Sequence, residues 1–254
     1  MDYMKKIDSA QNQQIKNIVR LRQSSTYQKE QNTCIVEGLR AIQTWMSSPH
    51  TLTYLYCTQT TQDIAYTLAT PQHIAMLSDT AMRKASDATT PSGLLALFQL
   101  QKPPEPIPWG PGLVLAHIQD PGNAGTLIRS AMALGYRLII CVDSVNPWNT
   151  KVIQSSAGTI AQAHVYQMSW DELQAKRQHV ALTGLVPSGG ISPHALPQQD
   201  HLFVVGNEAR GIPTSWISDC DHLMTLAMPG QTESLNAAIA GSITLYLYYY
   251  ERTR

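Results

Sequence analysis

Three stretches set polar side chains directly behind apolar runs. In "LVLAHIQDPGNAGTLIRSA", Asn123 and Arg129 follow a Pro-Gly turn. In "HLFVVGNEARGI", Gly206 and Gly211 bracket Asn207, Glu208 and Arg210. In "LAMPGQTESLNAAIAG", a Met-Pro-Gly turn leads to Glu233, Ser234, Leu235 and Asn236. Glycines let backbone approach a ligand closely, and strand-end amides supply fixed donors beside such side chains. Each stretch also has a plain reading. Gly-Asn-Glu after a strand is a common turn, Ser234 is a good N-cap, and Glu233 complements a helix macrodipole. Arg129 is either a site residue or a helix surface charge.

Familiar chemistries are missing. There is no GxGxxG and no GxxxxGK[ST], so the nicotinamide and nucleoside-triphosphatase readings lose their main support. No GxSxG elbow of a serine hydrolase occurs. Four cysteines (Cys34, Cys57, Cys141 and Cys220) form no CxxC pair, and the histidines show no HxxxH spacing, so no metal is expected.

The three stretches need elements to position them. "LVLAHI", "RLIICV", "HVALTGL", "HLFVVG" and "DHLMTLAM" are near-continuous apolar runs, which fit parallel strands covered on both faces. Helices are expected between them at 123–134, about 148–157, about 169–178 and 234–251, the first capped by Asn123 with Leu127, Ala131 and Leu134 on one face. In an open α/β sheet, ligands bind at the carboxyl ends of the strands. Residues 99–112, with five prolines and two glycines, read as a linker. The expected organisation is a small α/β domain at 1–105 and a parallel-sheet domain at 106–254.

The chain has 254 residues and 43% hydrophobic content, ordinary for a globular protein. The N-terminus lacks an apolar signal core and no stretch suits a bilayer span, so a cytoplasmic protein is expected. Formal net charge is zero, which argues against a nucleic-acid partner, but residues 5–29 carry six basic side chains against the single acid Asp8. Lys5, Lys6, Lys16, Arg20, Arg22 and Lys29 form either a phosphate-binding arm or a solvated helix face.

In their order and intervals, "IQDPGNAGTLIRSA", "FVVGNEARGI" and "MPGQTESLNAAIA" resemble the three motifs of the SpoU (TrmH-type) RNA ribose 2′-O-methyltransferases of the knotted SPOUT superfamily. "NPWNTKVIQSSAGTI" is similar to the family's segment after its second strand. "IVEGLRAI" and "MLSDTAMRKASDATTPSGLLAL" resemble the L30e-like substrate-binding domain that many members carry. The likeness covers nearly the whole chain. Two positions depart from it: Gln154 stands where many relatives have Arg, which bears on an RNA or dimer contact. Ala227 stands where the third motif usually has Pro, near a loop whose cofactor contacts are backbone.

The resemblance implies a trefoil knot, an exception to unknotted topology. Its loops, around 183–190, 206–212 and 226–235, would hold S-adenosyl-L-methionine through backbone groups at Thr183, Gly206, Leu226, Met228 and Leu235. Asn123, Arg129, Glu208, Ser234 and Asn236 match the family's polar site residues. An Arg base has been favoured there; because arginine stays protonated, a guanidinium that fixes the ribose and favours the alkoxide is the alternative. The resemblance further implies a homodimer and a structured RNA substrate, ribosomal rather than transfer RNA. The competing expectation is an inactive RNA-binding or ribosome-assembly protein of the same fold.

Overall fold

The computed structural model describes residues 4–230 and 235–252. They form two compact units: the chain up to Lys102 together with Trp148–Ala161, and Pro103–Pro147 together with the chain from Gln162 onward.

In the first unit the elements run β1 (Lys5–Ile7), α1 (Gln13–Gln23), α2 (Ser25–Gln31), β2 (Thr33–Glu37), α3 (Leu39–Met46), β3 (Thr51–Cys57), α4 (Gln62–Leu68), β4 (Ile74–Leu77), α5 (Asp79–Ala85) and β5 (Leu94–Gln99). The sheet is mixed, in the order β1-β4-β3-β5-β2, with β5 antiparallel to both of its neighbours. Asn12 caps α1 by accepting a hydrogen bond from the Gln14 amide. Ile15, Ile18 and Leu21 then fall on one face of that helix and join Ile7, Ile35, Tyr56 and Leu77 in the core. Buried apolar side chains at such spacing hold the helix, since short isolated helices are marginal in water.

The six basic residues within 5–29 divide into two groups. Arg22 donates to the carbonyls of Ala85 and Ser86 at the end of α5 and pairs with Asp87 at 3.7 Å, so its charge serves the fold. Lys5, Lys6, Lys16, Arg20 and Lys29 are exposed, with the Arg20 guanidinium 3.9 Å over the Tyr27 ring.

The second unit contains β6 (Gly112–Ala116), α6 (Pro121–Ala133) and β7 (Leu138–Val142). The next helix, α7 (Thr150–Ser155), packs against β2 and so belongs to the first unit. Then follow β8 (His164–Gln167), α8 (Trp170–Lys176), β9 (Ala181–Leu185), β10 (His201–Val205), α9 (Thr214–Ile217), β11 (His222–Met224) and α10 (Ala237–Arg252). The sheet is parallel among the described residues, in the order β11-β9-β10-β6-β7-β8. The α/β architecture expected from the sequence is present, a mixed sheet followed by a parallel one.

Alternate residues of the parallel strands serve opposite faces. Val114, Ala116, Ile140, Val142, Leu182 and Val204 pack with Trp170 and Leu173 of α8. On the other face α6 and α10 lie against each other and against β6 and β10. Gly241 permits that approach: a Cβ there would sit 2.4 Å from Leu127 Cδ2 and 3.0 Å from Val205 Cγ2. No helix among the described residues is long and apolar enough to cross a membrane.

The strand order creates the place for a site. β6 and β10 are neighbours, yet the chain leaves β6 toward β7 and leaves β10 toward β11 at the far edge. Connections that diverge from adjacent parallel strands open a crevice at their carboxyl ends.

Candidate active site

Asn123 is not the cap of α6. Asp120 is, accepting a hydrogen bond from the Asn123 amide at 2.7 Å, with Pro121 at the first helical position. Proline is preorganised for that position and loses no hydrogen bond there. Asn123 therefore stands in the first turn with its side chain free, and uses both ends of it. Its Nδ2 donates to Glu208 Oε1 at 3.0 Å, and its Oδ1 accepts from Asn236 Nδ2 at 3.0 Å. Asn236 in turn caps α10, its Oδ1 accepting from the Ala238 and Ile239 amides. Glu208 Oε1 also accepts from the Asp120 amide at 3.3 Å.

The loop that carries Glu208 is fixed by its neighbours. Asn207 and Gly211 exchange backbone hydrogen bonds at 3.0 and 2.9 Å, closing a tight turn. Gly206 allows this closure, because a Cβ there would lie 2.3 Å from the Gly211 carbonyl carbon. Asn207 Nδ2 donates to the His117 carbonyl at the end of β6 (2.9 Å), and its Oδ1 accepts from the Ala209 and Arg210 amides. One side chain thus ties the end of β10 to the end of β6.

Beside this cluster lies a cavity of about 480 Å³. Leu185, Val186 and Pro187 line it from the end of β9, Gly206 to Ile212 from the end of β10, and Leu226, Met228 and Leu235 from the last loop. Thr214 and Ile217 of α9 and Ala237 and Ala240 of α10 complete it. A mostly apolar wall with a few convergent polar groups is the usual form of a small-molecule site.

Of the residues singled out in the sequence, Asn123, Glu208 and Asn236 come together in one hydrogen-bonded cluster. Gly206, Leu226, Met228 and Leu235 line the cavity. Thr183 is not on its wall; it lies two residues before the end of β9, fully buried, with Oγ1 2.6 Å from His201 Nδ1. Leu185, Val186 and Pro187 stand where it was expected. Arg129 is exposed on α6, six residues beyond Asn123, and the structure gives its guanidinium no hydrogen bond or ion pair among the described residues. Ser234 lies outside the described residues.

α9 was missed by sequence reasoning. Its local signal is Pro213 followed by Thr214, Ser215 and Trp216, the start pattern of a short helix.

The thiols of this unit are poor nucleophile candidates. Burial pushes the buried Cys141 thiol up to about 12, and burial with the neighbouring Asp221 and Asp219 carboxylates does the same to the half-buried Cys220; a thiol so raised is a poor nucleophile. No group of three His, Cys, Asp or Glu side chains suited to a metal ion occurs among the described residues.

A family model described as the SpoU rRNA methylase family matches residues 111–246, and one described as an MRM3-like substrate-binding domain matches residues 12–96. The 23S rRNA (guanosine(2553)-2′-O)-methyltransferase RlmP of Bacillus subtilis is 29% identical over 250 residues, covering 96% of this chain and 98% of that protein. An AdoMet-bound rRNA methyltransferase from Sinorhizobium meliloti shares the fold, with a TM-score of 0.84, 20% identity and coverage of 96% and 97%. A putative RNA methyltransferase of the TrmH family from Porphyromonas gingivalis superposes with a TM-score of 0.80 at 28% identity, covering 92% of this chain and 96% of that one. The chain belongs to the SpoU rRNA methylase family.

Proposed function

We propose that this protein transfers a methyl group from S-adenosyl-L-methionine to a ribose 2′-hydroxyl of ribosomal RNA. The observation that carries the reading is the Asn123–Glu208–Asn236 cluster, built from three separate motifs at a strand-end crevice beside the cavity. RlmP of Bacillus subtilis, similar over nearly its whole length, supports ribosomal RNA as the substrate.

The residues present fit the cofactor. Leu226, Met228, Ile212 and Val186 offer apolar surface for an adenosine, and the glycine-closed turn at Gly206 exposes backbone to it. Gly206, Leu226, Met228 and Leu235 would hold it. When bound, it supplies an electrophilic methyl group on a sulfonium.

This chain's own part is positioning and charge. Transfer needs an alcohol oxygen held in line, with its proton passing to solvent. Glu208 and Asn236 fix the amide of Asn123 at the start of α6. The Arg129 guanidinium holds the target ribose and its phosphate and stabilises the developing alkoxide. Ser234, matched by the resemblance alone, is assigned a contact to the nucleotide.

A second copy of this chain covers α10. Ile239, Ile243, Tyr246 and Tyr250 are exposed large apolar side chains spaced along that helix, a stripe that suits a homodimer. The exposed Lys16, Arg20 and Lys29 of the 1–105 domain contribute phosphate contacts.

Two measurements test the reading. Calorimetric titration with S-adenosylhomocysteine should give saturable heat, and its absence would sink the cofactor assignment. Mapping 2′-O-methyl positions in large-subunit rRNA from cells with and without the gene should show one loss; identical maps would refute the substrate.

A further inference from the structure

His117 takes no part in the cluster described above, yet the chain holds it in an uncommon conformation at the centre of the crevice. Its φ is +57°, in the left-handed region that few non-glycine residues adopt. Both of its backbone groups are fixed: its amide donates to the Val142 carbonyl at 3.0 Å, and its carbonyl accepts from Asn207 Nδ2 at 2.9 Å.

The imidazole lies flat on Trp216, with ring centroids 4.6 Å apart and planes 19° from parallel. Trp216 lies in turn on Trp170, 4.6 Å away and within 3° of parallel. Trp170 is buried in the core, and its Nε1 donates to Asp219 Oδ2 at 2.8 Å. The three rings form a column that starts in the core and ends in an imidazole whose side chain is 38% exposed. Asp143, at the end of β7, places a carboxylate oxygen 4.0 Å from the ring's Nε2.

We propose that His117, backed by Trp216, is a stacking surface for an unpaired base of the RNA substrate next to the target ribose. The inference rests on the methyltransferase reading. Single-stranded RNA is recognised chiefly by splaying bases onto Phe, Tyr, Trp or His side chains. Two features place this surface beside the reaction. Asn207, which holds the His117 carbonyl, also donates to Glu208 Oε2 at 3.3 Å. Trp216 sits on α9, whose Thr214 and Ile217 line the cavity. The Asp143 carboxylate beside the ring repels a phosphate, so a base is the RNA group that fits.

The test compares His117→Asn, which keeps a side chain tolerant of left-handed backbone, with His117→Phe, which keeps a ring. Steady-state methylation of unmodified large-subunit rRNA separates KM from kcat, and S-adenosylhomocysteine titration reports the cofactor site. His117→Asn should raise the RNA KM about tenfold, in line with the loss of one stacked base, with kcat and cofactor affinity unchanged. His117→Phe, where its melting curve shows it folded, should stay within about twofold of the original KM. An unchanged RNA KM in His117→Asn overturns the proposal, as does a fall in kcat alone. If the unaltered protein binds S-adenosylhomocysteine but methylates no rRNA, the substrate reading fails separately. Fluorescence anisotropy with a labelled single-stranded RNA 12-mer library then decides: weaker binding by His117→Asn supports stacking, and equal binding overturns it.

Discussion

Asn123 bonds Glu208 through one end of its amide and Asn236 through the other. Asn123→Ala therefore leaves two polar side chains without their partner and removes the link between three motifs. We expect methyl transfer to slow about 100-fold, as on loss of one preorganised donor, with S-adenosylhomocysteine affinity within about threefold. Arg129 separates two roles. If it holds the ribose, Arg129→Ala abolishes transfer while fold and cofactor binding persist, and Arg129→Lys recovers little, since an ammonium does not replace a planar fork. A helix surface charge would change stability by only about 0.5 kcal/mol and leave turnover alone; single-turnover methylation tells them apart. Asn123 and Glu208 are legible in the sequence because each follows a strand within two residues of a glycine, and Asn236 because it stands at a helix start. The capping of α6 was not: Asp120 and Asn123 are both good caps, and only Pro121 between them decides for the first. His117 was invisible because its ring meets Trp216, about a hundred residues away, through tertiary packing that no local pattern records.

α6 and α10 bring two of the three motifs together, and Gly241 sets how closely they approach. Gly241→Val would drive a side chain into Leu127 and Val205. Overpacking of this kind costs about 1–3 kcal/mol, so a lowered Tm and weakened cofactor binding should appear together. Unchanged melting would show that the helices part without cost. In the first unit, α3 carries Trp45, stacked 4.8 Å from the buried ring of His50. Burial pulls His50 down from 6.5 to about 4. Between those values the unfolded chain binds a proton that the folded chain does not, so stability falls as pH drops from about 6.5 to about 4. His50→Asn should flatten that decline in denaturant titrations; an identical pH profile would remove His50 from the account. Five of the six strands of the parallel sheet are legible as apolar runs, since burial on both faces leaves no polar alternation; the edge strand β8, with only Val165 and Tyr166 buried between His164 and Gln167, carries no such run. α10 begins at Ala237, capped by Asn236, rather than at 234 as the sequence suggests.

Across the whole molecule, charge is uneven although it sums to zero. Lys16, Arg20 and Lys29 are exposed, whereas Arg22 is spent on the end of α5. Replacing the first three by Glu should weaken RNA binding and make its salt dependence shallower by about two in log–log slope. Cofactor affinity should not change. An unaltered slope would mean a solvated helix face. The proline-rich stretch at 99–112 marked the change of unit near Lys102, because five prolines exclude regular structure. The return of Trp148–Ala161 to the first unit left no such mark. It depends on α7 meeting β2, a contact between segments more than a hundred residues apart.

The central claim is that the cluster at the β6 and β10 ends directs a methyl group to a ribose hydroxyl. A 2′-O-methyl group blocks alkaline cleavage of the adjoining phosphodiester, so the product identifies itself. Unmodified large-subunit rRNA is incubated with the protein and methyl-labelled S-adenosylmethionine in a single turnover, then hydrolysed in alkali. The account predicts label in one alkali-resistant dinucleotide, appearing about 100-fold more slowly with Asn123→Ala. Label in a mononucleotide, or equal rates for the two proteins, would contradict it.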